Sequence, residues 1–175
     1  GLIYEGFKIL PYCCRCTTPL SNFETNQGYK DVQDPAVTVA FQLKDQPDTY
    51  ILAWTTTPWT LPSNVALCVN PTETYAKVKA ADDNVYYMAE ALLDTVLGKL
   101  ADKENGTPAY EILETYTGKD LEYKEYEPLF DYALDICKKQ NKKAHYVTCA
   151  DYVTLTDGTG VVHIAPGCGA EDNKL

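Results

Sequence analysis

Residues 52–64 read L-A-W-T-T-T-P-W-T-L-P-S-N, and this stretch joins the end of a strand to a cluster of hydroxyl groups. β-Prone apolar residues precede the threonines, and the two prolines after them exclude a regular helix or an interior strand. Because side chains alternate along an extended chain, Thr55 and Thr57 point to one face and Thr56 to the other. The stretch therefore predicts two hydroxyls presented together on a constrained backbone.

The two tryptophans of the chain, Trp54 and Trp59, lie in the same stretch. Three threonines at a strand end can be explained by their β-branching alone. Large aromatic side chains beside a polar cluster, however, form the walls of pockets more often than they cover a surface. We therefore interpret the stretch as one wall of a binding site.

The composition is that of one globular domain, since 175 residues with 45% hydrophobic and 23% charged side chains are enough to bury a core. No apolar run approaches the roughly 18 residues of a membrane span, so we expect no membrane contact. The net charge of −10 argues against a free-standing nucleic-acid binder, which needs a basic face to displace counterions. Other parts of a parent protein would have to supply most phosphate contacts.

Seven irregularly spaced cysteines without a secretory signal indicate a reduced, cytosolic chain. Cys13 and Cys16 have the C-x-x-C spacing of half a zinc site, but no second pair follows. Structural zinc needs four ligands, so the sequence alone favours no metal, and a half-site completed by residues outside the chain is the alternative. Because the chain lacks a signal-like start and stops just after a dense motif, we expect a single domain, residues 1–175, excised from a longer protein.

Period-two alternation and short apolar runs predict a β-rich chain. The predicted strands and β-prone segments are 37–43, 49–54, 65–69, 75–79, 85–88, 110–121, 123–130, 145–154 and 161–165. The first two are expected to form one hairpin, and 75–79 with 85–88 a second.

One helix is predicted over residues 89–103, because its apolar side chains fall on a single stripe with helical spacing. The stripe comprises Ala89, Leu92, Leu93, Val96, Leu97 and Leu100. We assign it to core packing, and Asn105-Gly106 is expected to end the helix. Residues 131–143, which end in K-K-Q-N-K-K, are expected to form an exposed helix or loop.

His163 is a polar side chain in an apolar strand, and a sharp turn separates it from Asp172, which we expect in a flexible segment. One hypothesis combines hydroxyl, amide, imidazole and carboxylate groups into a site for a hydroxylated ligand that carries an amine. Its members are Thr55, Thr57, Asn64, His163 and Asp172.

Two other hypotheses explain the same region. A Cys–His nucleophile would pair Cys168 or Cys149 with His163 or His145, although no nucleophile signature is present. Alternatively, His163 is a satisfied core histidine and the carboxylate that follows it caps a turn.

Two segments together resemble the editing domain of isoleucyl-tRNA synthetase: residues 52–64 and residues 158–172, which read G-T-G-V-V-H-I-A-P-G-C-G-A-E-D. That domain, connective polypeptide 1, is a large insertion in a class I catalytic fold. Residues 18–24 and 29–37 are also similar to it, so the resemblance spans essentially the whole chain, and the latter segment resembles its eukaryotic-type branch. The related valyl and leucyl enzymes carry T-T-R-P in place of T-T-T-P.

The resemblance implies post-transfer editing, in which valine mischarged onto the isoleucine tRNA is hydrolysed and isoleucine is rejected, with valyl-adenylate as a possible second substrate. One missing methylene is worth only about 1–3 kcal/mol of discrimination in an apolar pocket, a figure for which isoleucyl-tRNA synthetase is itself the standard example. A second, smaller pocket supplies the remaining fidelity. The expected activity is that of an aminoacyl-tRNA deacylase within an isoleucine–tRNA ligase.

Matching the motifs residue by residue implies a set of site residues. The expected catalytic residues are Thr55, Thr57 and Asp172. The expected substrate contacts are Trp54, Thr56, Asn64, His163 and Ala165. By resemblance the threonines and Asn64 hold the terminal adenosine and the ester, His163 shapes the side-chain pocket, and Asp172 holds the α-ammonium. One departure is Asn173, where the family often has an aromatic residue.

The resemblance also implies a β-rich α/β fold, with a closed or nearly closed β-barrel and peripheral helices. We expect the threonine segment and the His163–Asp172 segment to face each other across one cleft. The expected partners are the 3′ end of the valine-charged isoleucine tRNA and the remainder of the synthetase chain.

We expect a cytoplasmic monomer whose domain needs no cofactor and whose hydrolytic site needs no metal, although the parent enzyme would use ATP. Cys13 and Cys16 resemble a zinc half-site of some family members. The rival function is a non-catalytic docking module that only holds the tRNA 3′ end.

Overall fold

The computed structural model describes residues 1–100 and 108–175, and within them ten strands form three sheets. The strands are β1 (Tyr12–Cys13), β2 (Thr18–Pro19), β3 (Val37–Gln42), β4 (Thr49–Thr55), β5 (Ala66–Val69), β6 (Thr74–Ala80), β7 (Val85–Ala89), β8 (Tyr110–Thr117), β9 (Tyr146–Cys149) and β10 (Val161–Ile164). The α-helices are α1 (Asn22–Thr25), α2 (Leu93–Leu97), α3 (Leu134–Lys139) and α4 (Ala170–Lys174). Shorter 3₁₀ segments cover Pro58–Ser63, Glu90–Leu92, Gly98–Leu100 and Gly118–Leu121.

The larger sheet has the order β3-β4-β7-β6-β8, in which only the β4–β7 pair is parallel. The smaller sheet has the order β10-β5-β9, with β5 and β9 parallel. Both predicted hairpins, β3–β4 and β6–β7, are confirmed. Single bridges from Glu125 to Tyr146 and from Leu43 to Tyr126 join the two sheets. The β-rich fold is therefore present, while closure into a barrel stays a prediction.

The predicted helix over 89–103 is wrong in its bounds. Ala89 is the last residue of β7, where its N–H donates to the Thr159 carbonyl, and the chain then forms a 3₁₀ turn, the five-residue helix α2 and a second 3₁₀ turn. The apolar stripe still serves the core, since Leu93 and Leu97 are buried. Residues 101–103 and the predicted Asn105-Gly106 terminus lie outside the described residues.

Three other segments differ from the sequence predictions. Residues 110–121 form a strand only to Thr117, where a capping box with Asp120 starts a 3₁₀ turn. Residues 123–130 contain no extended strand, because Tyr123 has a left-handed φ of 69° and the next residues bridge to two different strands. The segment 145–154 is a strand only over Tyr146–Cys149. Helix α3 confirms the exposed helix within 131–143.

The buried side chain of Tyr75 connects the larger sheet to the ends of two strands of the smaller sheet by hydrogen bonds. It lies on β6, is 0% exposed, and its hydroxyl accepts the Asn70 N–H (2.9 Å) and donates to the Gly160 carbonyl (2.6 Å). Burial raises its pKa to about 12, so the hydroxyl keeps its proton. No helix among the described residues has the length and apolar character needed to cross a bilayer.

We expect Tyr75→Phe to lower the free energy of unfolding by about 1–3 kcal/mol, because it leaves a buried N–H and a buried carbonyl without their partner. Urea denaturation of the variant measures this loss. The matched control is Tyr86→Phe, which removes a hydroxyl bonded to the exposed Asp82. Equal losses in the two variants would contradict the special role of Tyr75.

Candidate functional site

The threonine segment begins where β4 ends, and the 3₁₀ turn Pro58–Ser63 follows it. Thr55 is 7% exposed, and its Oγ1 accepts the Thr57 N–H at 3.0 Å and lies 3.3 Å from the Thr57 Oγ1. The two hydroxyls are thus presented together, as predicted. Thr56 and Thr57 are both exposed, and Thr56 lines the same cavity as its two neighbours, so its predicted placement on the opposite face is not observed. The proline-rich turn redirects the chain immediately after the hydroxyl pair.

His163 faces this segment from the central part of β10. It is 6% exposed, and its Nε2 lies 2.9 Å from the Oγ1 of Thr60. The single proton of that hydroxyl is donated to the Thr57 carbonyl at 2.8 Å. Thr60 must therefore accept from His163, which assigns the Nε2–H tautomer.

The imidazole of His163 is neutral near pH 7. Burial lowers its pKa from the usual value, and the nearby charge of Asp172 only partly offsets this. Its Nδ1 is buried without a hydrogen-bond partner in the described part of the chain. In the assigned tautomer the free lone pair is on this buried Nδ1, while Nε2–H is engaged with Thr60, so the geometry favours a wall of the cleft over a base.

Asp172 is held close to the end of β10. It lies on the short helix α4, and its Oδ2 accepts the Ala165 N–H at 2.9 Å. The carboxylate is thus bonded within a short helix rather than in an irregular segment, and the flexibility expected for this segment stays a prediction. Gly169 permits the close approach, since a Cβ there would lie 3.0–3.2 Å from the carboxyl group.

One cavity of about 420 Å³ lies between the two segments. Its lining residues are Trp54, Thr55, Thr56, Thr57, Trp59, Thr60, Val162, His163, Cys168, Gly169 and Asp172. The expectation that the threonine segment and the His163–Asp172 segment face each other across one cleft is thereby confirmed.

Sequence reasoning missed Thr60 as a lining residue of the cleft, together with Val162 and Gly169, whereas Trp59 was expected as a pocket wall and Cys168 was considered only as a nucleophile. The spacing of Thr57 and Thr60 could have indicated that Thr60 lies near the hydroxyl pair, because residues three apart meet in a 3₁₀ turn. The proximity of Thr60 to His163, 103 residues later, has no local sequence signal.

Two predicted site residues lie outside the lining of the cleft. Asn64 is buried, and its amide donates to the Ala66 carbonyl (2.8 Å) and accepts the Tyr126 hydroxyl (2.6 Å). Ala165 is buried and contributes its backbone N–H to Asp172. Both residues therefore bond to elements that carry the lining residues and do not line the cleft themselves. Direct contact of either with a substrate stays a prediction.

Trp54 forms the floor between the cleft and the loop before β10. The loop passes so close that a Cβ on Gly158 would lie 2.8–2.9 Å from the indole, and Gly158 has a left-handed φ of 75°. Only glycine meets both requirements without strain.

The cysteines give no support to a Cys–His nucleophile. Cys168 lines the cleft but has no hydrogen bond to an imidazole among the described residues, and the Cys149 thiol instead approaches the Gly118 carbonyl at 3.6 Å. Burial raises the pKa of the Cys149 thiol, which disfavours the thiolate.

The C-x-x-C pair lies in the turn of the β1–β2 hairpin, far along the chain from the cleft residues. The Cys16 N–H donates to the Cys13 sulfur at 3.4 Å, which lowers the pKa of Cys13. Within residues 1–100 and 108–175 no group of three or more His, Cys, Asp or Glu side chains is placed to hold a metal. A zinc ion here would need ligands beyond those that the described residues bring together.

Comparison with known proteins identifies the relatives of the chain. Residues 1–154 match the family described as tRNA synthetases class I (I, L, M and V). The cytoplasmic isoleucine–tRNA ligase of Mus musculus is 48% identical, over 100% of this chain and 13% of that protein. The isoleucine–tRNA ligase of Bdellovibrio bacteriovorus is 51% identical, over 98% of this chain and 16% of that protein. The chain thus spans 13–16% of the length of these relatives, which do not separate a eukaryotic from a bacterial branch.

Solved structures share the fold at low sequence identity. The P. knowlesi cytosolic leucyl-tRNA synthetase editing domain has a TM-score of 0.60 and 16% identity, over 79% of this chain and 59% of that one. The structure titled GlLeuRS-CP1 has a TM-score of 0.56 and 17% identity, over 75% of this chain and 53% of that one. The β-rich fold with mixed sheets is that of these editing domains.

We expect Gly158→Ala to destabilise the protein more than Gly28→Ala. Both glycines have φ near 75°, so both substitutions carry the left-handed penalty of about 1–2 kcal/mol, but only Gly158 meets the Trp54 ring while Gly28 has open space. Thermal unfolding of both variants, with Trp fluorescence as the probe, measures the difference. Identical losses would show that the indole contact is unimportant.

Acidification from pH 7.5 to 5.5 is expected to lower the free energy of unfolding. His145 and His163 both have pKa values lowered by burial, so below about pH 6.5 the unfolded chain takes up protons that the folded chain resists. The stability is fully present above that pH and is lost as pH falls towards the folded pKa values, at up to about 1.4 kcal/mol per pH unit for each histidine.

Urea denaturation at pH 7.5, 6.5 and 5.5 measures this slope, and His145→Asn should reduce it. Asparagine suits the left-handed φ of 61° at that position. A slope that is unchanged in His145→Asn would rule out the contribution of this histidine.

Proposed function

The chain belongs to the class I tRNA synthetases of the I, L, M and V group, and we propose that it is the editing domain of an isoleucine–tRNA ligase. It hydrolyses valine from mischarged isoleucine tRNA and rejects isoleucine. The observation that carries the proposal is the cleft in which the paired hydroxyls of Thr55 and Thr57 face the fixed carboxylate of Asp172.

The carboxylate supplies the contact for the amino end of the substrate. Asp172 commits Oδ2 to the Ala165 N–H, which leaves Oδ1 as an acceptor for an α-ammonium group. It is the one acidic or basic side chain that the described residues contribute to the cleft lining apart from the neutral His163, since the other lining groups are aromatic, aliphatic, hydroxyl and thiol groups and a glycine. A charge-assisted bond to the ammonium fixes the orientation of the ester.

The hydroxyls supply contacts for the ester and for water. The Oγ1 atoms of Thr55 and Thr57 donate and accept, so they can hold a water molecule beside the ester carbonyl. The water oxygen attacks the carbonyl carbon, and the bond from that carbon to the ribose oxygen breaks. A proton of the water passes through the neighbouring ribose hydroxyl to the ribose oxygen that leaves. Orientation is the main source of the acceleration.

Selectivity follows from the stiffness of the wall at His163. The imidazole is clamped by the Thr60 hydroxyl, and the same hydroxyl is tied to the Thr57 carbonyl. Because the Thr60 hydroxyl is bonded on both sides, the His163 imidazole moves little when a larger side chain enters the cleft. Overpacking of this kind costs roughly 1–3 kcal/mol of binding free energy. Isoleucine, with one methylene more than valine, would meet that cost.

Under the same proposal the chain is part of a cytoplasmic synthetase that uses ATP to attach isoleucine to its tRNA. Relatives such as the Mus musculus protein are named cytoplasmic isoleucine–tRNA ligases. Its partners are then the 3′ end of the isoleucine tRNA and the remainder of the synthetase, and valyl-adenylate is a possible second substrate. We propose that the domain acts as a monomer.

We expect Asp172→Asn to lower kcat/KM for deacylation of valine-charged isoleucine tRNA by about a hundredfold, since removing one partner of a close charge pair costs about 2–5 kcal/mol. Release of labelled valine measures the rate, and isoleucine-charged tRNA is expected to remain intact. The matched control is Glu171→Gln, a neighbouring exposed carboxylate that pairs with Lys174 and does not line the cleft.

An equal loss in Glu171→Gln would contradict the role of Asp172. Tight binding of the charged tRNA without release of valine, both by this chain and by a synthetase that contains it, would favour the non-catalytic docking module instead.

A further inference from the structure

A second cavity, of about 280 Å³, combines lysines with a buried histidine and shares no lining residue with the cleft. It lies where helix α3 and the segment after it pack beside Lys44 and His145. We propose that this cavity binds the sugar–phosphate backbone of an RNA. The choice of isoleucine tRNA as the RNA rests on the proposed function, but binding at this cavity needs no hydrolysis at the cleft, so either can fail without the other.

The local charge is opposite in sign to that of the chain. Acidic residues outnumber Lys and Arg by 25 to 15, yet four lysines lie within residues 138–143. Lys44, Lys138 and Lys142 line the cavity against the single carboxylate of Glu127. These three ammonium groups form the kind of positive site that phosphate groups occupy on RNA-binding proteins.

Two of these lysines remain available to a ligand. Lys44 pairs with Glu125 at 3.1 Å, and Lys143, just outside the cavity, pairs with the same carboxylate at 2.8 Å. Lys138 and Lys142 are exposed and have no carboxylate within 4.0 Å in the described portion of the chain. The Lys142 N–H donates to the Cys137 carbonyl, so its position relative to α3 is fixed.

His145 points to a ligand independently of the lysines. It lines the cavity and is 3% exposed, and its Nε2 is buried without a hydrogen-bond partner among the described residues. Its backbone is held by the Val65 carbonyl (2.6 Å) and the Tyr126 N–H (3.0 Å). A buried polar atom without a partner is unfavourable, so a ligand group that reaches Nε2 from the cavity gains affinity by supplying the partner.

The chemistry of that partner favours RNA. Nε2 accepts a hydrogen bond in the neutral Nδ1–H tautomer and donates one in the Nε2–H tautomer or when the ring is protonated. A ribose 2′-hydroxyl donates, and an adjacent phosphate oxygen accepts, so RNA offers both partners at one place. The stacked pair Phe130 and Tyr132, with ring centroids 5.7 Å apart and both rings exposed, lies in the segment between two lining residues and gives a base a surface on which to stack.

The test measures binding of uncharged isoleucine tRNA to the 175-residue chain and to two double variants. Lys138→Ala with Lys142→Ala should weaken binding about tenfold and reduce the slope of log K against log salt by about 1.8, as expected for the loss of two phosphate contacts. Lys79→Ala with Lys99→Ala removes the same charge from exposed positions elsewhere and should change binding by less than about twofold. Equal weakening by both pairs would overturn the proposal.

A second readout uses the presence of only two histidines in the chain. Histidine-labelled protein gives two imidazole NMR signals, and His145→Asn assigns them. Uncharged isoleucine tRNA should shift the His145 signal, and the lysine double variant should abolish that shift at the same tRNA concentration. A shift of the His163 signal alone, or a His145 shift with inorganic phosphate and none with tRNA, would overturn the proposal.

Discussion

The hydroxyl of Tyr75 is the contact on which the geometry of the cleft depends. It accepts the N–H of Asn70 and donates to the carbonyl of Gly160. Asn70 directly follows Val69 and Gly160 directly precedes Val161, and these two valines are paired in the β5–β10 ladder. A side chain of the larger sheet thus closes the end of the β5–β10 ladder of the smaller one. Because β4 ends in the threonines and β10 carries the opposite wall, the distance between the two walls is set by how this ring holds the sheets together.

The surroundings of that hydroxyl leave little freedom for the corner to move. The Asn70 amide donates to the carbonyls of Asp151 and Val153 and accepts from Thr72, while a side chain on Gly118 would collide with the Asn70 carbonyl oxygen. Fully satisfied buried polar groups specify one arrangement, because any shift leaves a donor or acceptor unpaired. The apolar core alone, which tolerates changes of similar volume, would not fix the cleft to the same degree.

Sequence patterns predicted the features that depend on local periodicity and failed where distant contacts decide. The alternation around Thr55 and Thr57 and the two hairpins needed only neighbouring residues. The helix predicted from residue 89 fails at its start because Ala89 instead donates to Thr159, a bond 70 positions away that no periodicity records. Asn64 was placed in the site by its motif, yet its amide is paired with Tyr126 behind the wall.

If the cleft has the proposed editing function, its charge suits release of the product as well as capture of the substrate. An aminoacyl ester presents an ammonium group and no carboxylate, so the single charge of Asp172 attracts it. Hydrolysis turns the ester into a free amino acid, which carries a new carboxylate of the same sign as Asp172. No lysine or arginine among the described residues lines the cleft, and His163, whose pKa is lowered by burial, does not supply a compensating positive charge. Under the proposed function the product would therefore be held less tightly than the substrate, as an editing site that must bind, cleave and empty requires.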